Sequence, residues 1–121
     1  MKIWYLAHPV KSDDKYTTEQ NLEHALIVQG LLFEAGVITI MPWHTYCTIY
    51  GAAEGERLAT CLEMDAEMVK MTGRLILTGH RLSHGMAVEY EALNGELIDL
   101  IGVPDRFLSE VVHHILERKD G

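Results

Sequence analysis

Long apolar runs are absent from this chain: none of its 121 residues belongs to a stretch near the ~18 that a membrane span needs. Cationic charge is scarce as well. Ten Lys and Arg against 18 Asp and Glu leave a formal net charge of −8 at pH 7, which argues against a nucleic-acid polymer as partner. A small anionic ligand stays open, because a helix N-terminus can hold one without any basic side chain. Cysteine is limited to Cys47 and Cys61, whose separation matches no metal-ligand spacing. The opening "MKIWYLAHP" lacks signal-peptide chemistry, so a cytoplasmic protein with reduced thiols is expected. What is present is ordinary globular material: 48% of the residues are hydrophobic, enough for a core. No repeat, linker or composition shift divides the chain, and residues 1–121 read as one domain.

The pattern along the chain alternates. "MKIWYLA" is a short apolar run closed by "HP" and predicts a buried strand. "VKSDDKY" reads as a loop. Thr17 with Gln20 fits a capping box, and the helix that follows keeps an apolar face through Leu22, Ala25, Leu26, Leu32 and Phe33 until Gly36. "VITIM" predicts a second strand stopped by Pro42. Residues 42–53, "PWHTYCTIYGAA", read as a long aromatic-rich loop, a type that is often functional. A helix is predicted over 54–71 with Leu58, Leu62, Met68 and Val69 inward, then a strand "RLILTG", a helix within "RLSHGMAVEYEALNG", a strand "ELIDLIGV", and a closing helix with Pro104 in its first turn. The order βαβαβαβα predicts an α/β fold: a single Rossmann- or flavodoxin-like domain with a four- to five-stranded parallel sheet and helices on both faces.

Ligands of such sheets bind at the carboxyl ends of the strands. Those ends carry His8 and Pro9, then Trp43 and His44, then His80, Ser83, His84 and Gly85. Metal binding by the loop histidines competes with a plain surface role. Only His80 and His84 have ligand-like spacing, and they flank a loop, so no metal and no cofactor is assigned. Ser83 is a favoured N-cap and Gly85 permits close backbone approach. That turn is either simple capping or an anion seat.

Two acids stand out. Glu89 lies one turn beyond Gly85, looking back toward the loop, whereas Glu91, two positions on, points elsewhere. Asp65 sits mid-helix between Met64 and Met68, where exposure is the default. A pair of carboxylates is the usual equipment for glycosidic chemistry, but spacing alone does not bring these two together.

Taken together, "IWYLAHP", Asn21 with Ala25, "PWH", "ERLATCLEMDAEMV" and "LTGHRLSHGMAVEYEALNGE" resemble the nucleoside 2-deoxyribosyltransferase superfamily. That superfamily includes 2'-deoxynucleoside 5'-phosphate N-hydrolases and small phage and bacterial relatives. The resemblance covers nearly the whole chain, 1–121, and rests most on Ser83-x-Gly85-x-x-x-Glu89 with the upstream Asp65. It implies Glu89 as catalytic nucleophile, Asp65 as the acid near sugar and base, and Tyr5 as a contact to the reacting carboxylate. It implies Ser83, His84 and Gly85 as the sugar- or phosphate-binding turn, with Ser83 favouring a phosphorylated ligand. His8, Pro9, Trp43 and His44 are the further binding candidates. In place of the hydrolases' Arg- and Gly-rich loop stands "HPVKSDD", with Lys11 as the nearby cation.

The expected function is cleavage or exchange of the N-glycosidic bond of a nucleoside or nucleoside 5'-monophosphate through a covalent Glu89 intermediate. The alternatives are a non-catalytic protein that binds or sequesters a nucleotide, of phage type, and an interaction module. The resemblance also implies a homodimer or higher homo-oligomer.

Overall fold

The computed structural model describes residues 2–120. Met1 and Gly121, counted above in the first strand and the last helix, lie outside the described residues. The elements are β1 (Ile3–Ala7), α1 (Thr18–Glu34), β2 (Ile38–Ile40), α2 (Pro42–Tyr50), α3 (Gly55–Thr72), β3 (Arg74–Leu77), α4 (His84–Ala92) and β4 (Glu96–Asp99). A 3-10 turn at Asp105–Phe107 leads into α5 (Leu108–Asp120). The four strands form one parallel sheet in the order β2-β1-β3-β4, the Rossmann- or flavodoxin-like arrangement. Among the described residues no helix is long and apolar enough to cross a membrane.

β1 is central, and Trp4 through Pro9 are buried. A central parallel strand is covered on both faces, which explains its unbroken apolar run. Register pairs Tyr5 with Ile40 on one side and with Leu75 on the other. β2 then stops, and beyond that point the chain supplies other partners for β1. Trp43 Nε1 donates to the Leu6 carbonyl at 2.8 Å, and Thr78 Oγ1 donates to the Ala7 carbonyl at 2.7 Å. Order reverses at β1, since the chain passes from it to β2 on one side and then crosses back to β3. That is where an open α/β sheet leaves a crevice. α1 packs against α5, and α3 packs against α4.

Three expectations are corrected. Residues 42–50 of the supposed loop are helical: Pro42 opens α2 at its first turn, where its missing N–H costs nothing, and Gly51 at φ 77° ends it. Trp43 and Cys47, four apart, form its buried stripe. In α1 the capping box of Thr17 and Gln20 is present, but the buried stripe is Asn21, Ala25, Val28 and Leu32. Leu26 and Phe33 each sit one residue, or about 100°, off that stripe and are exposed. Pro104 does not start the last helix; it precedes the 3-10 turn, and α5 begins at Leu108.

Candidate active site

α4 begins where Ser83, with extended backbone, accepts a hydrogen bond from the Met86 N–H at 3.2 Å. Such a cap is worth about 1 kcal/mol and fixes which residues face the sheet. Met86 and Glu89 are three apart and both turn inward, 1% and 5% exposed, while Glu91 is exposed. Glu89 is thus carried into the interior by the same stripe that packs Met86. On α3 the inward stripe carries Asp65 and Val69, four apart, so Asp65 is buried too and Met64 is left outside. Tyr5, on the central strand, completes the group and is fully buried.

Asp65 and Glu89 border a cavity of about 520 Å³. Its walls include His8, Trp43, Tyr46, Leu58, Leu62 and the turn Ser83–Gly85, with Lys11, Arg81 and His84 among its polar lining. The Tyr46 hydroxyl donates to both oxygens of Asp65, at 2.8 and 2.9 Å. The Tyr5 hydroxyl lies beside both carboxylates, near enough to offset part of their upward shift, yet makes no hydrogen bond of regular geometry with either. Its oxygen and Glu89 Oε2 are both sealed from solvent without a partner. A buried polar atom left unpaired costs about 1–3 kcal/mol, so two side by side mark a place built for something else to bind.

Burial dominates the proton affinities here. It pushes the Glu89 carboxyl up to about 8, with the Tyr5 hydroxyl pulling down and the Asp65 charge pushing further up. Asp65 is also raised by burial, with the hydrogen-bonded Tyr46 hydroxyl and the neighbouring Tyr5 hydroxyl pulling down. Both phenols, Tyr5 and Tyr46, are held above the ordinary tyrosine range, chiefly by burial. Burial lifts the Cys47 thiol to about 11, so it is protonated and unreactive. Two acids in one sealed space cannot both ionise readily, and such a pair can hold and move one proton.

Most of the anticipated residues meet. Glu89, Asp65, Ser83, His84, Gly85, His8 and Trp43 all border the cavity, and Tyr5 lies beside its two acids. Pro9 and His44 do not. Pro9 is buried against Gly79, where φ is +91° and any Cβ would collide with the proline ring. His44 Nε2 donates to the Leu22 carbonyl at 2.9 Å and serves to tie α2 to α1. Both ring nitrogens of His8 are engaged: Nδ1 donates to the Pro9 carbonyl, and Nε2 meets His24 Nδ1, each at 2.8 Å. The chain itself does not require glycine at 85, since a Cβ there would meet only Leu62 at 3.6 Å, an ordinary contact.

Sequence reasoning took Tyr46 as one of the loop tyrosines that could stack on a base and did not anticipate its bond to Asp65. Its signal was the spacing Trp43, Tyr46, Cys47, Tyr50, which is helical once Pro42 is read as a start and not a stop. Arg81 was missed, but its Nε donates to Asp13 Oδ2 at 2.8 Å, so its charge is already paired. Among the described residues no group of three or more His, Cys, Asp or Glu is arranged to hold a metal ion. Comparison with family models, curated proteins and solved structures finds no match to the chain.

Proposed function

We propose that this protein cleaves or exchanges the N-glycosidic bond of a nucleoside or nucleoside 5'-monophosphate. The observation that carries the reading is the convergence of Asp65 and Glu89 at one cavity with Tyr5 buried beside them, Glu89 Oε2 and the Tyr5 hydroxyl being unpaired. At about 520 Å³ the cavity is of the size that small-molecule sites commonly have. Trp43 offers an aromatic wall for a base, and the capped N-terminus of α4 offers a seat for a sugar hydroxyl or a phosphate.

The chemistry balances with a single shared proton. The cycle starts with the proton on Glu89 and with Asp65 as carboxylate, the form that the two contacts from the Tyr46 hydroxyl favour. The proton passes to Asp65, and the freed Glu89 carboxylate attacks C1' while the departing base takes the proton from Asp65. A glycosyl ester on Glu89 results. Water then attacks C1', Asp65 accepts its proton, and Glu89 leaves as carboxylate; a second base in place of water gives exchange. The proton returns to Glu89.

Incubation with matched nucleosides and 5'-monophosphates, read by chromatography for free base, tests the reading. Release of base from at least one of them is expected. Tight binding with intact ligand after long incubation would replace catalysis by nucleotide sequestration, and absence of both would sink the proposal.

A further inference from the structure

Tyr46 lies on α2, outside the trio that the proposed chemistry uses, and its contact is unusual. One phenolic proton is shared between both oxygens of Asp65, at nearly equal lengths of 2.8 and 2.9 Å. A carboxylate accepts in this way with either oxygen; a protonated carboxyl would present one acceptor and one competing donor. Glu89 has no such two-oxygen donor: its phenolic neighbour is Tyr5, and its Oε2 is buried and unpartnered. We infer that Tyr46 is a positioning residue that decides which of the two buried acids holds the proton: by donating to both oxygens of Asp65 it keeps that group ionised and leaves the proton on Glu89.

The surroundings agree. From β1 the pair is faced by Tyr5, whose phenol stays protonated, and from α2 by Tyr46 and Cys47, whose thiol is lifted to about 11. Cys61 of α3 borders the same cavity. The cationic groups of the cavity are His8, Lys11, Arg81 and His84, and the exposed Glu54 adds one more acid to its lining. Lys11 and His84 are exposed, Arg81 is committed to Asp13, and His8 is committed to Pro9 and His24. No cation among them pairs with Glu89, and a second buried negative charge without a counter-charge is strongly disfavoured. Removing Tyr46 takes away the one hydrogen-bond donor that Asp65 has and Glu89 lacks.

In the proposed reaction this sets the starting state, with Glu89 guarded as an acid until the proton moves. The inference rests on that reading only for its consequence, since proton placement is measured without substrate. Carboxyl-labelled protein is titrated by 13C NMR, with Glu89→Gln and Asp65→Asn assigning the two steps. In the wild type, Glu89→Gln should remove the step near neutral to alkaline pH, and the more acid step should belong to Asp65. Tyr46→Phe should raise the Asp65 step by about one pH unit or more, as losing a hydrogen bond to a carboxylate does. Replacing Tyr46 with 3,5-difluorotyrosine, a stronger donor of nearly the same shape, should lower that step and guards against a folding defect in the Phe variant. An alkaline step that vanishes with Asp65→Asn in place of Glu89→Gln would overturn the inference. So would an Asp65 step that neither replacement of Tyr46 moves. Base release plays no part in the measurement, so an inactive protein can still confirm it, and an active one can still refute it.

Discussion

Two hollows flank the sheet, and the larger is the less promising. The crevice on the side of α1 and α5 encloses about 670 Å³ and is bordered by Lys15, Tyr16, His24, His80 and Asp105. Its titratable groups are largely satisfied by one another. His24 Nε2 donates to Asp105 at 2.8 Å, and His24 Nδ1 meets His8. His80 donates to Asp13, which lies outside the lining, at 2.7 Å; Arg81, from the lining of the other cavity, donates to the same oxygen at 2.8 Å, and the backbone N–H groups of Tyr16 and Lys15 join them. Those contacts, led by the Tyr16 N–H, hold the Asp13 carboxyl well below the usual carboxylate range. On the other side about 520 Å³ is bordered by two buried acids, one with an orphan oxygen. Size measures how much can fit. Unpaired buried polarity measures what the protein has left for a ligand to complete.

The sharpest way to break this contrast is to disable each hollow in turn. Glu89→Gln should lower base release by ~10³-fold or more, as loss of a nucleophile does, while circular dichroism stays unchanged. Asp105→Asn, in the larger crevice, should leave release within about twofold. The reverse pattern would move the active site to the other face of the sheet.

The next effect lies in stability against pH, where two buried groups of the carboxylate cavity, Glu89 and His8, have opposite sign. Glu89 is raised from 4.5 to about 8 in the fold, so the native state holds its proton more tightly than the unfolded chain does. Stability from that difference is full at low pH and is lost as pH rises from 4.5 toward 8, by at most about 5 kcal/mol at 1.36 kcal/mol per unit. His8, at the end of β1 and bordering the same cavity as Glu89, is pushed by burial from 6.5 down to about 4. The unfolded chain then binds more protons, so stability is lost as pH falls from 6.5 to 4, by at most about 3 kcal/mol. Denaturant midpoints between pH 4 and 9 should trace a dome. Glu89→Gln should flatten its alkaline limb and His8→Gln its acid limb; unchanged limbs would contradict the burial of these groups.

The smallest expected effect is at His44. His44→Ala removes the bond to the Leu22 carbonyl and should cost about 1 kcal/mol by chemical unfolding, with base release unaffected. A large loss of substrate affinity would return His44 to the binding site.

How far the sequence reached depends on the range of the interaction. Elements set by neighbours in sequence were legible: the Thr17–Gln20 capping box, the αL glycine Gly73 that ends α3, the Ser83 cap, and the apolar run of β1. α2 was not, because Pro42 serves equally as a stop and as a first helical residue, and only the burial of Trp43 and Cys47 decides between them. The same ambiguity hid the bond from Tyr46 and left Asp65 without a reason to be buried. An acid in mid-helix defaults to solvent unless a donor from another element is waiting for it. The inward face of Glu89 was legible because the cap and the carboxylate share one helix, whereas the placement of Pro9 and His44 away from the cavity was not, because their partners, Gly79 and Leu22, are distant in sequence.

The indole of Trp43, pinned by its N–H to the Leu6 carbonyl, forms part of the cavity wall and has almost no contact with water. The chain's other tryptophan, Trp4, is one position from Tyr5 on β1 and therefore points to the opposite face of the sheet. Optically, the two form a gauge and its reference. Both emit from a dry, apolar setting, but an aromatic guest stacked in the cavity quenches only Trp43, while Trp4 supplies a steady background. An aromatic ligand that entered beside the carboxylate pair should therefore change the emission of Trp43 in unlabelled protein.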